Sequence, residues 1–293
     1  MHQDVLKQIR RLQLLAKRIV RTSFGGEYRS AFKGMGLSFE EVREYQPGDE
    51  IRLIDWNVTA RMDQTFIKRY VEERELTILL LVDLSAGMRF GSAATTKRQV
   101  AAELTAVLAF AAVLHHDRIG LLTFTDRIEA TIRPAKGSRP VLRLLRTILH
   151  AKPTGRETNL TAALEAVNKL QKRRAVIFVI SDFQDESPER LLKRTALRHD
   201  VIAVRIDDEL ERAWPAVGLV RVQDPETDAM TVIDTDLTAF RTAFAAQADA
   251  QRSRFEKVAA EAGVDIIDAA TDGRHFEVLL RFFRTRRRRR ERQ

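Results

Sequence analysis

Five short stretches of the chain are apolar almost without interruption: Leu76 to Val82, Ile119 to Phe124, Ala175 to Ile180, Val201 to Ile206 and Val264 to Ile267. A strand with one wet face alternates apolar and polar residues. A run that does not alternate is buried on both faces, as in a parallel sheet. Between the runs lie helical patterns. Thr96 to His115 is apolar nearly all round, which predicts a buried helix, and Arg139 to Leu149, Leu160 to Gln171 and Pro188 to Leu197 are amphipathic. A long helix is expected from Leu237 to Ala262 and another from about His275 to Phe283. Strand–helix alternation over this span predicts an α/β fold, a doubly wound, mostly parallel sheet with helices on both faces. Gly218 to Asp234 breaks the order: two short strand patterns flank Asp224-Pro225-Glu226-Thr227-Asp228, so a β-hairpin is inserted there.

Upstream, residues 5–21 read as a basic amphipathic helix. Val5, Ile9, Leu12, Leu15 and Ile19 share one face, with Lys7, Arg10, Arg11, Lys17, Arg18 and Arg21 between them. Such a helix docks on the body with a solvated basic face, or lies on a membrane surface. Residues 22–64 are punctuated by glycine. Gln46-Pro47-Gly48-Asp49 predicts a type II turn, and Asp49 is placed to cap a short helix carrying Ile51, Ile54 and Val58. Gly34-Met35-Gly36 is half of a dinucleotide fingerprint and lacks its third glycine and preceding strand. These patterns divide the chain into an N-terminal extension over 1–75, an α/β domain over 76–283 and an Arg-rich tail over 284–293.

Charge sharpens this division. The net charge is +9, yet residues 1–34 hold eight basic against two acidic residues, and residues 284–293 hold seven arginines against one glutamate. The body between them is slightly acidic, which argues against a core that reads nucleic acid. An arginine run has no apolar face, so 284–293 is expected to be a solvated, disordered tail. With no cysteine, disulfides, thiolate metal sites and cysteine nucleophiles are excluded. The longest apolar run, Leu104 to Leu114, is too short to span a bilayer, and Met1 to Arg21 lacks a signal-peptide core. The expected address is the cytoplasm.

In an open parallel sheet, ligands gather at the carboxyl ends of the strands. The first run ends in Asp83-Leu84-Ser85-Ala86-Gly87 and the third in Ser181-Asp182-Phe183, while Gly155-Arg156-Glu157-Thr158-Asn159 leads into a helix. Two carboxylates, a serine and a threonine thus converge on one edge. Hard oxygen ligands of this kind suit Mg²⁺, Mn²⁺ or Ca²⁺. Helix capping is the other reading, with Thr158 as the cap of Leu160 to Gln171.

Asp83-x-Ser85-x-Gly87, Thr158 and Asp182 resemble the three loops of the metal-ion-dependent adhesion site of von Willebrand factor A domains. That family's first loop is Asp-x-Ser-x-Ser, its second supplies a threonine and its third an aspartate. The resemblance implies a Rossmann-type doubly wound fold, with Asp83, Ser85, Thr158 and Asp182 as metal ligands. Gly87 stands in place of the second serine, which implies weak Mg²⁺ binding with a water filling the gap. The block from Gly36-Leu37-Ser38-Phe39-Glu40-Glu41 through Tyr45-Gln46-Pro47-Gly48-Asp49 to Asp55-Trp56-Asn57-Val58-Thr59-Ala60-Arg61 resembles the signature of the bacterial domain of unknown function 58 family. Its members carry this block ahead of a von Willebrand A-like domain. For them the implied partner is a MoxR-type AAA+ ATPase, in a chaperone-like role that matures or activates client proteins.

The signature also has a physical reading. Arg43, Arg52, Arg61, Arg69 and Arg74 sit among Glu44, Asp49, Asp55, Glu72, Glu73 and Glu75. They form either an ion-pair network fixing the segment against the sheet or a charged docking surface. Trp56 reads as a packing anchor. Phosphate-loop, His-Glu-x-x-His and Gly-x-Ser-x-Gly motifs do not occur in the sequence, so any ATP chemistry belongs to a partner. The expected function is non-enzymatic protein interaction. A metal-dependent phosphohydrolase using Asp83 and Asp182, with Arg156 nearby, and a basic-ended nucleic-acid or anionic-surface binder are the alternatives.

Overall fold

The apolar runs become the strands of one sheet. The computed structural model describes residues 2–32, 38–62, 64–71, 75–93, 95–184 and 188–290. The Gly34-Met35-Gly36 motif and Glu72 to Arg74 lie outside the described residues. The central strand β3 (Thr77–Asp83) follows an N-terminal part made of α1 (His2–Ile19), a π-turn at Val20–Phe24, α2 (Gly25–Ala31), β1 (Ser38–Glu44), α3 (Trp56–Met62) and β2 (Phe66–Val71). After it come α4 (Lys97–Leu114), β4 (Arg118–Phe124), β5 (Ile128–Ala135), α5 (Ser138–Leu149), α6 (Leu160–Leu170), β6 (Val176–Ser181), α7 (Glu189–Arg198) and β7 (Asp200–Asp207). The hairpin β8 (Leu219–Gln223) and β9 (Met230–Asp234), then α8 (Thr238–Ala262), β10 (Asp265–Ala270) and α9 (His275–Arg290), complete the chain.

The main sheet runs β10-β7-β6-β3-β4-β5. All its pairings are parallel except β4 with β5. Successive residues of β3 serve opposite faces. Ile78, Leu80 and Val82 join the cluster under α1, α2, α4, α5 and α9, while Leu79 and Leu81 join the one under α6, α7 and α8. That two-sided burial removes the alternation from the sequence and is the expected doubly wound fold. β5 escapes the sequence reading because it is a half-wet edge: only Ile132 is buried along it.

The chain moves from β3 outward to β4 and β5, then returns to β6 on the other side of β3. The topological switch point therefore falls between β3 and β6, where an open α/β sheet leaves a crevice outside the strand ends. Asp83 and Asp182 lie at the carboxyl ends of those two strands.

Three expectations for the flanking segments are corrected. The arginine run is not a solvated tail, because α9 continues through it to Arg290. Arg286 is buried, and its guanidinium meets Asp200 at 2.5 and 2.6 Å and Asp265 at 3.4 Å. Arg287 meets Glu27 at 2.9 Å. Arginine is a good helix former, and acidic groups on β7, β10 and α2 supply the counter-charge that the run lacks in its own sequence. Second, Asp49 does not cap the helix. It accepts from Arg43 and from the Gln46 amide within the predicted turn, where Gly48 has φ +109°. Asp55 caps α3 instead, accepting from the Asn57 and Val58 amides. Third, Trp56 is no packing anchor: it is 67% exposed, and Ile51 and Met62 of the same segment are exposed too.

The basic helix α1 docks on the body. Leu12, Ala16 and Val20 are buried in the core cluster that contains most of α4. Tyr28 of α2 is fully buried among Phe32, Phe283 and His115, and its hydroxyl donates to Asp117 at 3.1 Å.

Candidate functional site

The four residues expected to hold a metal converge at the carboxyl ends of β3 and β6. Asp83 is fully buried. Its Oδ1 accepts from the Ser85 amide at 2.8 Å, and its Oδ2 accepts from Ser181 Oγ at 2.6 Å and Thr158 Oγ1 at 3.4 Å. Ser85 Oγ is buried without a well-formed hydrogen bond, though its hydroxyl lies close enough to Asp83 to favour the carboxylate form. Thr158 is not the cap of α6: Asn159 is, through its side chain and the Ala162 amide at 2.9 Å. The capping alternative therefore leaves Thr158 unexplained, and its hydroxyl faces Asp83.

Gly87 stands over the same space. A Cβ there would lie 3.4 Å from Asp182 Oδ2 and 4.0 Å from Ser85 Oγ. Position 87 thus faces the site, and glycine leaves a small open cradle between the Ser85 hydroxyl and a carboxylate. The donor set suits a hard divalent cation: two carboxylates, two hydroxyls and room for water. Among the described residues no cluster of three or more acidic or histidine side chains is placed to hold a metal, so any cation here would rely on hydroxyls and water.

Burial, followed by the charge of Asp182, pushes the Asp83 carboxyl up to about 6, against the opposing hydrogen bond from Ser181, that from the Ser85 amide and a lesser contribution from the Ser85 hydroxyl. Two carboxylates crowded in a dry site favour a proton on one of them, or a cation between them.

The surrounding loops are tied to one another. The Ala86 amide donates to Arg156 O at 2.8 Å. Arg156 in turn pairs with Asp228 and donates to Pro225 O at 2.8 Å, so the tip of the β8–β9 hairpin is strapped beside the site. Arg156 is therefore spoken for and does not face the two carboxylates as a free cation. At Gly155 a Cβ would lie 1.7 Å from Asp126 Oδ1. Only glycine lets this loop pass so close while its amide donates to Glu129 at 2.9 Å.

A residue that sequence reasoning missed completes the edge. Lys97, the first residue of α4, is fully buried, and its Nζ lies 2.6 Å from Asp182 Oδ2 and 2.5 Å from Glu211 Oε1. Burial alone would lower the lysine pKa, but Asp182 and Glu211 outweigh it and hold the ammonium above the usual lysine range. Glu211 is itself fixed by a reciprocal cap with Asp208. Asp208 accepts from Ser92 at 2.5 and 2.9 Å and from Thr271 at 2.6 Å. No sequence signal marks Lys97, since a lysine heading a helix is ordinary and its partners come from two distant loops.

The signature segment forms a small antiparallel ribbon. β1 pairs with β2, and the Ile51–Met62 stretch packs beside it through the Ile54–Ile67 bridge and the Asp55 amide's bond to Phe66 O at 2.8 Å. The expected ion-pair network is represented there by the Arg43–Asp49 pair at 2.7 Å. Glu75 pairs instead with Arg118 and Lys136 of the main domain.

Known proteins resemble this chain at two levels. Among solved structures, BatB from Bacteroides thetaiotaomicron covers 73% of this chain and 99% of its own, at 12% identity and TM-score 0.45. Proximal thread matrix protein 1 from the mussel byssus, described with a zinc-occupied MIDAS motif, covers 46% of this chain and 38% of its own, at 16% identity and TM-score 0.32. In sequence, the uncharacterized protein Rv1480 of Mycobacterium tuberculosis is 31% identical over 283 residues, 96% of this chain and 89% of that one. Uncharacterized protein Mb1516 of Mycobacterium bovis matches to the same extent. The family model described as protein of unknown function DUF58 matches residues 41–254, spanning the ribbon, the carboxyl-edge site and the hairpin, and the chain belongs to the DUF58 family.

Proposed function

We propose that this chain is a non-enzymatic protein-interaction module whose carboxyl-edge site binds a partner through a shared divalent cation. The observation that carries the reading is the convergence of Asp83, Ser85, Thr158 and Asp182 around the cradle at Gly87, with Ser85 Oγ buried without a well-formed hydrogen bond. Such a buried hydroxyl beside two carboxylates costs stability unless something occupies the space. Asp83 and Asp182 would set the negative charge there, and Ser85 and Thr158 would add neutral oxygens. A bound Mg²⁺ would supply a Lewis-acidic position that a partner's carboxylate can fill. This chain's own part is to hold the oxygens in place around the cation and its waters.

The partner we propose is a MoxR-type AAA+ ATPase, with this chain helping it mature or activate a client protein in the cytoplasm. Two exposed apolar surfaces favour protein contact: Ile51, Trp56 and Met62 on the signature segment, and Leu219, Met230 and Val232 on the hairpin strapped beside the site. A pull-down from cell extract tests this, run with Mg²⁺ and with chelator on wild type and Asp83→Ala. Capture of an AAA+ ATPase by wild type with Mg²⁺ alone is expected. Equal capture in all arms, from folded protein, would refute the cation-bridged interface.

A further inference from the structure

Lys97 stands out in any survey of charged groups in this fold. It is a fully buried lysine, and lysines are almost never fully buried unless paired. It also sits at the first turn of α4, where Thr96 caps the helix. The helix dipole there favours anions and opposes a cation. Its ammonium is held against two penalties by two carboxylates, Asp182 and Glu211.

The choice of carboxylate oxygen matters. Asp182 Oδ1 accepts from the Gln184 amide at 3.3 Å. Oδ2 is the oxygen that faces the cradle above Gly87, and Oδ2 is the one Lys97 holds. We propose that Lys97 is a built-in rival of the divalent cation: its ammonium occupies the cradle-facing oxygen of Asp182 and keeps the edge site metal-poor until metal and partner arrive together. This rests on the carboxyl-edge site proposed above.

Glu211 gives the ammonium a second seat. Its carboxylate is fixed from behind, with Oε2 accepting from the Asp208 amide at 3.3 Å. When a cation approaches Asp182, Lys97 keeps its bond to Glu211 and releases Oδ2, so the charge is shared out rather than stranded. Being fully buried, the ammonium cannot itself receive a partner's carboxylate. It acts by setting how strongly Asp182 attracts a metal. Lys97 and Glu211 are thus positioning residues with opposite effects on cation affinity.

The probe is Mn²⁺ alone, titrated into the full-length chain and read by the loss of the free-ion electron paramagnetic resonance signal. Lys97→Met should bind Mn²⁺ at least tenfold more tightly than wild type. Glu211→Gln, which leaves the ammonium only Asp182, should bind at least threefold more weakly. Circular dichroism and thermal melts check that each variant is folded. If Lys97→Met does not fold, the double variant Lys97→Met/Glu211→Met removes the Glu211 charge together with the ammonium, so that of the three groups only Asp182 keeps its charge, and it carries the same tenfold expectation. A folded variant lacking Lys97 that binds Mn²⁺ no better than wild type would overturn the inference, as would a Glu211→Gln protein that binds more tightly. The titration contains no partner, so its failure leaves the pull-down outcome standing, and a failed pull-down leaves the titration standing.

Discussion

At the amino edge of the sheet, Asp117 accepts from the Leu76 amide at 2.8 Å and from Tyr28, and Asp200 receives two bonds from Arg286. At the carboxyl edge, Asp83 shares a serine and a distant threonine, Ser85 Oγ has no well-formed hydrogen bond, and Asp182 leans on a single buried ammonium and one backbone amide. Both edges bury carboxylates. The first satisfies them with elements recruited from the start and the end of the α/β order, α2 and α9. The second leaves a hydroxyl poorly bonded and a cradle open. At the amino edge the chain itself supplies the partners of its carboxylates; the space left at the carboxyl edge is the one we propose a cation fills.

The strongest way to break this contrast is at Arg286. Arg286→Ala takes two hydrogen bonds from Asp200 and removes a cation stacked over Phe32 at 5.1 Å. Loss of one partner from a nearly buried pair costs on the order of 3 kcal/mol. The melting temperature should fall by at least about 5 °C, and deletion from Arg286 onward should do the same. An unchanged melt would return the arginine run to the status of a solvated tail.

The carboxyl edge should answer in the opposite way. Asp83→Asn still accepts from the Ser85 amide through its oxygen, while its Nδ2 must donate to the Ser181 hydroxyl instead of accepting from it, and the buried charge is gone. Its stability should stay within about 1 kcal/mol of wild type, while Mg²⁺-dependent partner capture drops at least tenfold. A variant that melts well below wild type yet captures its partner normally would make Asp83 a structural residue like Asp200.

A pH series sharpens the comparison. Burial pushes the Asp117 carboxyl from 3.8 up to about 6, outweighing the hydrogen bonds from Leu76 and Tyr28. Between those values the folded state holds more protons than the unfolded chain, so stability falls as pH rises from about 4 to 6. Asp83 has a raised carboxyl of the same sign. Asp117→Asn should therefore flatten part of the slope, by about 1–2 kcal/mol across that window, measured by urea melts at each pH. An unaltered slope would show that Asp117 titrates normally.

The smallest expected effect is at the cradle. Gly87→Ser supplies the missing hydroxyl facing Asp182 and should tighten Mg²⁺ binding about threefold by calorimetry. Equal affinity in both forms would place the cation elsewhere.

Much of this was legible in the sequence because two-faced burial erases alternation. The runs at Leu76, Ile119, Ala175, Val201 and Val264 all become strands, and the site loops follow them. β5 was invisible because an edge strand with one buried residue looks like a loop. The arginine helix was misread because its partners lie outside it: Glu27, Asp200 and Asp265 are remote in sequence, and no local pattern announces them. Asp49 reads as the cap and Asp55 is the cap, because one aspartate offers the same capping chemistry as another and only the chain's path between turn and ribbon separates them. Lys97 was illegible for the same reason as Arg286, since a long-range ion pair leaves no periodicity.

The aromatic contact between the α2 region and α9 has a consequence for synthesis. Tyr28 and Phe32 pack on Phe283, at 5.9 and 5.6 Å between ring centres. A ribosome makes the first pair roughly 250 residues before the third, an interval of about ten to fifty seconds at ordinary elongation rates. Throughout that interval the early helix has an oily face and no lid. The sheet can form as its strands emerge, but its α9 side stays uncovered until α9 itself has been made. Nascent chains should then be most vulnerable to proteases and to chaperone capture after β10 has emerged and before α9 has docked.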